Sequence, residues 1–217
     1  MKKIKDFTGI PTKEKAEKIV RRRKLLHPTW IMTIVGEKPN YIVKTTIPIS
    51  EAHEESTSTN DVIDFLNFIA ERESYNNYNA YYGEATNTDN PSFILMQLKE
   101  VLDWQKGRKF SACGKYQIIR ATLLDLVRAL SLNSSEIFDR VLQDKLGRKL
   151  LEGRGLDKFL NGELSEEDFA YNVACEWASL PKIKGKDGHK SVYDGDGNNK
   201  ALVSKEVYMN AIRELKG

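Results

Sequence analysis

The sequence predicts a mainly α-helical protein with a smaller β component (α+β), and three observations carry that prediction. From residue 60 onward, apolar residues recur at spacings of three and four, the period of one helix face. Several of these runs open on Ser or Asn followed by acidic residues, which is how helix starts are written. The only strand-like runs, Trp30–Val35 and Tyr41–Pro48, lie close together early in the chain, separated by Gly-Glu-Lys-Pro-Asn, a hairpin signal with a longish loop.

In order, Pro11 suits a first helical turn, and Thr12 to Leu26 reads as a charged helix with Ala16, Ile19 and Val20 on one side. The hairpin follows. Residues 1–49 therefore form a basic region of helix plus hairpin, and the polar, aperiodic stretch 50–60 reads as a linker. Residues 61–217 form the helical body. Asn60 is placed to cap a helix over Asp61–Ser74, and further helices are expected at Pro91–Trp104, Ile118–Leu130, Ser135–Leu151, Ser165–Ala178 and Ser204–Leu215. The Asn, Tyr, Gly and Thr-rich stretches 76–90 and 106–117 read as loops, where sites tend to sit.

Composition narrows the function classes. With 217 residues, 40% of them hydrophobic, the chain can fill one domain, or one domain with an appendage. No apolar run is long enough for a membrane span, and no apolar segment follows the N-terminal lysines, so no secretory signal is expected. Cys113 and Cys175 make no disulfide framework and read as small buried residues in a reduced protein. His27, His53 and His189 lack metal-ligand spacing, so no metal or other cofactor is expected. Charge is uneven. Residues 1–50 hold twelve Lys and Arg against four Asp and Glu (+8), and the rest holds 22 against 27 (−5), as if the two parts meet different partners. The Arg21-Arg22-Arg23-Lys24 run is either a solvated helix face or a contact for nucleic acid or an anionic wall polymer.

One glutamate stands out. Val62, Leu66, Ile69 and Glu73 share a stripe at spacings of four, three and four, whereas Glu71 falls roughly 200° away. Glu73 thus ends an apolar face at the C-terminal end of its helix. Desolvation and the negative helix end both disfavour its charge, and a carboxyl that keeps its proton is what protonating a glycosidic oxygen requires. A helix-end glutamate that simply reaches water satisfies the same spacing. Downstream, Phe110-Ser-Ala-Cys-Gly-Lys-Tyr-Gln-Ile118 sets small residues, an aromatic and an amide before a helix. Such a surface suits a sugar ring and its acetamido group, and a Gly turn leading into a helix reads the same way. Phe169, Val173 and Trp177 share a core face, from which Tyr171 departs.

These blocks carry a resemblance over about residues 60–215. Ala70-Glu-Arg-Glu73-Ser74 followed by Asn79-Ala80 resembles the Glu-Ser signature of lysozyme-like lytic transglycosylases. Ser111-Ala-Cys-Gly114-Lys115-Tyr116-Gln117-Ile118 is similar to a block of lambda-type phage endolysins, as is Trp177-Ala-Ser-Leu-Pro181, in the same order. Tyr193–Ala201 resembles a stretch of phage virion-associated muralytic domains. The resemblance implies a lysozyme-like helical fold that cleaves the β-1,4 bond of peptidoglycan, with Glu73 as general acid/base. It places Ser74, Ser111, Gly114, Lys115, Tyr116, Gln117 and Tyr171 along the glycan groove. Lys115 stands where the endolysins have Arg, and Tyr-Asn-Asn follows Glu73-Ser74 in place of their Gly-rich continuation.

A hydrolysing muramidase of this kind needs a second carboxylate. Glu84 and Asp89 are the candidates, while Tyr82 occupies the place of the aspartate in hydrolysing phage lysozymes. Without that partner, Glu73 protonates the leaving oxygen and then deprotonates the muramic acid 6-hydroxyl, releasing a 1,6-anhydro product. Two other classes stay open: a non-catalytic virion protein that binds glycan, and a chitinase-like enzyme. The basic residues 1–49 suggest attachment to other virion or tail proteins, which would carry the enzyme to the host wall; the alternative is the host cytoplasm before release. Asp194-Gly-Asp-Gly-Asn198 has alternate calcium-type oxygens but Lys205 at the closing position, so a turn is the better reading.

Overall fold

The computed structural model describes residues 2–10, 13, 14, 16, 17, 20, 31–35, 37, 41–47, 56–195, 197 and 199–216. The chain forms two compact units, Met1–Thr59 and Asn60–Gly217, and its described part is mainly helical. The Arg21–Lys24 run, residues 50–55, Asp196 and Asn198 lie outside the described residues.

In the first unit, β1 (Lys2–Ile10), β2 (Ile31–Val35) and β3 (Tyr41–Ile47) form an antiparallel sheet in the order β1-β3-β2. The expected hairpin pairs Ile31 with Thr46 and Val35 with Ile42. Residues 13, 14, 16, 17 and 20 are helical, as expected of Thr12–Leu26. Strand β1 was not expected. Its apolar residues Ile4, Phe7 and Ile10 recur every third position, and its ladder to β3 shifts register between Ile4 and Phe7 and again between Phe7 and Ile10. Such irregularities erase the period-two alternation by which strands are recognised.

The second unit is built from α1 (Ser56–Ser74), whose first four residues fall in the first unit, a 3₁₀ turn at Phe93–Leu95, α2 (Leu98–Gln105), α3 (Arg120–Ala129), α4 (Arg140–Gly153), α5 (Leu156–Leu160), α6 (Glu166–Ala174) and α7 (Lys205–Glu214). Helix α1 begins at Ser56, inside the expected linker, because a Ser/Thr run disfavours helix only weakly once a packed helix follows. Val62, Leu66 and Ile69 are buried, as their spacing requires. Phe65 lies against Phe169 of α6 (6.4 Å between ring centroids) and Tyr208 of α7 (6.5 Å), which seats α1 on both helices. The expected helix 91–104 is split. Met96 and Leu98 give their backbone groups to the segment ahead of α4, through Phe138 N–H to Met96 C=O (2.8 Å) and Leu98 N–H to Glu136 C=O (2.7 Å). The same pairing delays α4 to Arg140, where the Asp139 side chain caps it by accepting from Leu142 N–H. Helix α6 ends at Ala174, short of the expected Ala178, and the turns beyond it carry Trp177 and Ser179 toward the end of α1.

Cys113 is buried and Cys175 only partly so, and both are free thiols. Among the described residues no helix is long and apolar enough to cross a membrane.

Candidate active site

Glu73 sits one residue before the end of α1. The helix stops because Tyr75 and Asn76 take left-handed backbone angles (φ 53° and 59°), with Asn76 N–H closing on Ala70 C=O at 3.1 Å. Glu71 is exposed and accepts from Asn76 Nδ2 (2.6 Å). Glu73 keeps part of its surface accessible while protein surrounds its carboxyl. That burial pushes its pKa above the ordinary 4.5, against the opposing pull of the Ser179 hydroxyl and N–H. Oε1 accepts a long hydrogen bond of 3.3 Å from Ser179 N–H.

The three sequence blocks meet here. Ser74 donates through Oγ to Lys115 C=O (2.7 Å), joining the first block to the second. Trp177 Nε1 donates to Tyr116 C=O (3.2 Å), joining the third to the second. Ser179 then joins the third to Glu73. The second block is a small hairpin. Cys113 and Ile118 exchange backbone bonds of 3.2 and 2.9 Å, and Gly114 (φ 76°) and Gln117 (φ 48°) supply left-handed turn positions. Buried Gln105 braces both ends, donating to Ser111 C=O and Ile118 C=O (2.8 Å each). Gln143 of α4 accepts from Lys115 N–H at 2.8 Å and lies so close to Gly114 that a Cβ there would meet its Oε1 at 2.6 Å.

Most of the expected groove residues turn inward, which corrects their assignment. Ser74, Gly114, Lys115 and Tyr116 are buried. The Lys115 ammonium bonds Asp144 Oδ1 (3.1 Å) and Asn67 Oδ1 (2.8 Å), and Tyr116 and Tyr78 donate their hydroxyls to Asp144 at 2.8 and 2.9 Å. Burial first, and the Asp144 charge second, push both phenols well above their ordinary pKa. Ser111 Oγ accepts from Arg120 N–H (3.2 Å) at the start of α3. These side chains are spent on contacts within the fold, and a lysine and a tyrosine before a helix read identically in sequence whether they face in or out. Gln117 and Tyr171 remain partly accessible; Gln117 donates to Gly114 C=O (2.8 Å), and Lys184 Nζ stands 5.0 Å over the Tyr171 ring.

Glu84 and Asp89 are exposed and accept from Thr86 and Thr88. No carboxylate stands among the causes of the Glu73 shift. Their loop is held by asparagines. Asn77 donates to Ala85 C=O (2.8 Å) and Asn87 C=O (2.6 Å), Asn79 to Thr88 C=O, and Asn87 to Asn79 C=O (2.6 Å) and Pro91 C=O (2.9 Å). Sequence reasoning missed Asp144, Gln105, Gln143 and Ser179. It also missed the exposed stack of Tyr82 on Phe110 (4.3 Å, 13°), whose only early signal was two aromatics in neighbouring loops. No described cluster of His, Cys, Asp or Glu is arranged to hold a metal ion.

The raised Glu73 pKa has a consequence for stability. The folded chain holds this proton to higher pH than the unfolded chain, so stability falls as pH rises from 4.5 through the raised value, and the penalty is complete above it. Glu73→Gln is expected to melt no lower than the wild type at mildly alkaline pH and to lose any advantage below pH 4.5, as scanning calorimetry across pH would record. A variant melting lower throughout would place the carboxylate in a stabilising pair instead.

No protein-family model, no curated protein and no solved structure matches this chain.

Proposed function

We propose that residues 60–217 cleave the β-1,4 MurNAc–GlcNAc bond of bacterial peptidoglycan with Glu73 as acid and then base, on a lysozyme-like helical body. The observation that carries this reading is a carboxyl at a helix end whose burial raises its pKa, bonded by Ser179 N–H at the junction of three sequence blocks. A protonated Glu73 gives its proton to the glycosidic oxygen as the C1–O bond breaks. The resulting carboxylate takes the proton of the muramic acid C6 hydroxyl, whose oxygen closes on C1. The net change is one glycosidic bond exchanged for an intramolecular one between C1 and the C6 oxygen, with no water consumed.

We favour this non-hydrolytic route over hydrolysis because Glu84 and Asp89 are exposed and bonded to loop threonines. Muropeptides released from purified sacculi are expected to carry 1,6-anhydro ends in mass spectra. Products bearing the mass of an added water would establish a hydrolysing muramidase, and no release from sacculi, with retention on them, would establish a glycan-binding virion protein. The basic first unit is proposed to attach the enzyme to other phage virion or tail proteins, which deliver it to the wall.

A further inference from the structure

Tyr82 and Phe110 are two large apolar side chains that the fold leaves in water and sets against each other. Their rings stack at 4.3 Å with 13° between the planes, while Tyr82 stays 44% and Phe110 41% exposed. Phe110 covers only one face of the Tyr82 ring, so that much exposure leaves the other face open to solvent. Tyr81 turns inward against Trp104 (5.5 Å) and Phe93 (6.4 Å), and Tyr82 beside it turns outward. The pair stands on the ribbon that meets the acid. Tyr82 N–H donates to Ala112 C=O (3.0 Å), Gly114 N–H donates to Ala80 C=O (2.8 Å), and Lys115 C=O accepts from Ser74, the neighbour of Glu73. Ala112 is three residues from Lys115, a reach of at most roughly 11 Å. Lys106, Arg108 and Lys109 lie exposed just before Phe110 and form no ion pair among the described residues. Lys109 Nζ stands 5.2 Å over the Phe110 ring.

We infer that Tyr82 and Phe110 form a stacking platform for a sugar ring of the glycan, farther along the strand than the bond that Glu73 protonates. The assignment rests on the glycan-cleaving reading of Glu73. A β-1,4-linked N-acetylated pyranose has a flat face of C–H groups, which packs on an open aromatic face. Its hydroxyls lie at the ring edge, where the Tyr82 hydroxyl both donates and accepts. Phe110 backs the Tyr82 ring, so the platform is set before the sugar arrives and little side-chain freedom is lost on binding. The unpaired cations beside it suit a strand that carries carboxylates on its muramic acid residues. The two loops thus divide the work: the end of the ribbon at Lys115 fixes the acid, and the end at Phe110 holds the strand.

The test uses Tyr82→Leu, which keeps an apolar side chain over Phe110 but removes the ring, and Tyr82→Phe, which keeps the ring. Binding is measured by titrating the β-1,4 hexamer of N-acetylglucosamine into the full chain carrying Glu73→Gln, which leaves the ligand intact. Each titration is run where circular dichroism shows the variant folded, and KM and kcat are measured on purified sacculi with Glu73 in place. Tyr82→Leu is expected to weaken hexamer binding about tenfold and to raise KM by a similar factor, the loss falling on KM and not on kcat, whereas Tyr82→Phe binds as its parent does. Unchanged affinity in Tyr82→Leu would mean that no sugar stacks there. Equal weakness in Tyr82→Phe would make the hydroxyl, and not the ring face, the contact. A chain that sediments as a dimer, and as a monomer with Tyr82→Leu, would mean that the pair covers a second copy. Each of these overturns the platform. Glu73→Gln separates the two levels. If it abolishes cleavage while Tyr82→Leu binds as its parent, this inference alone falls. If sacculi are cleaved equally with and without Glu73→Gln, or by neither protein, the glycan-cleaving reading falls and the platform's place beside the cut falls with it.

Discussion

Glu73→Gln is expected to reduce cleavage of purified sacculi by about a thousand-fold, within the range of roughly 10²–10⁴ that a positioned general acid contributes. Glutamine has almost the shape of the protonated acid and can still accept from Ser179 N–H, so the loss would come from the missing proton and not from a disturbed helix end. The route proposed here uses Glu73 twice, first to protonate the leaving oxygen and then to deprotonate the C6 hydroxyl, so no residual half-reaction is expected to survive. Turbidity loss of a sacculus suspension, read beside the melting curve of the same sample, checks this. Full activity in a folded variant would remove Glu73 from the chemistry.

The second large effect concerns stability. Asp144→Ala is expected to cost about 2–3 kcal/mol, set below the roughly 3–5 kcal/mol for breaking a buried ion pair because Asp144 is 43% exposed. The carboxylate receives Lys115, Tyr78 and Tyr116, and truncation strands two phenols and weakens the setting of a lysine side chain that is 4% exposed. Asp144→Asn keeps an acceptor and should lose less. Activity should fall with stability in the alanine variant, since Lys115 C=O is what anchors Ser74 beside Glu73. Urea unfolding gives the measurement, and a midpoint equal to wild type for Asp144→Ala would contradict the role given to this cluster.

What the sequence disclosed and what it withheld follow from the kind of information each feature needs. The burial of Glu73 was legible because helical periodicity is local: the spacing of Val62, Leu66, Ile69 and Glu73 needs no knowledge of the rest of the chain, and it separates Glu73 from Glu71. The hairpin of β2 and β3 was legible for the same reason. The orientation of Lys115 and Tyr116 was not, because it depends on Asp144, 29 and 28 residues away, and nothing near either residue announces that partner. The break at Met96 was hidden likewise, since residues 134–138 claim its backbone. Ser179 was hidden for the same reason, because its N–H reaches Glu73 from 106 residues away along the chain.

The asparagine-held loop after Glu73 has a consequence for how this protein responds to its surroundings. Its staples run from side-chain amides to backbone carbonyls at Ala85, Asn87, Thr88, Asn79 and Pro91, and amides neither gain nor lose protons in the range where carboxylates titrate. Those amide staples therefore hold whether Glu73 is charged or neutral. Loops tied by ion pairs loosen as their members are neutralised, so activity lost at either pH extreme confounds chemistry with shape. Here the amide staples do not change with pH, so in the cleavage we propose the decline at high pH would report chiefly the proton affinity of Glu73.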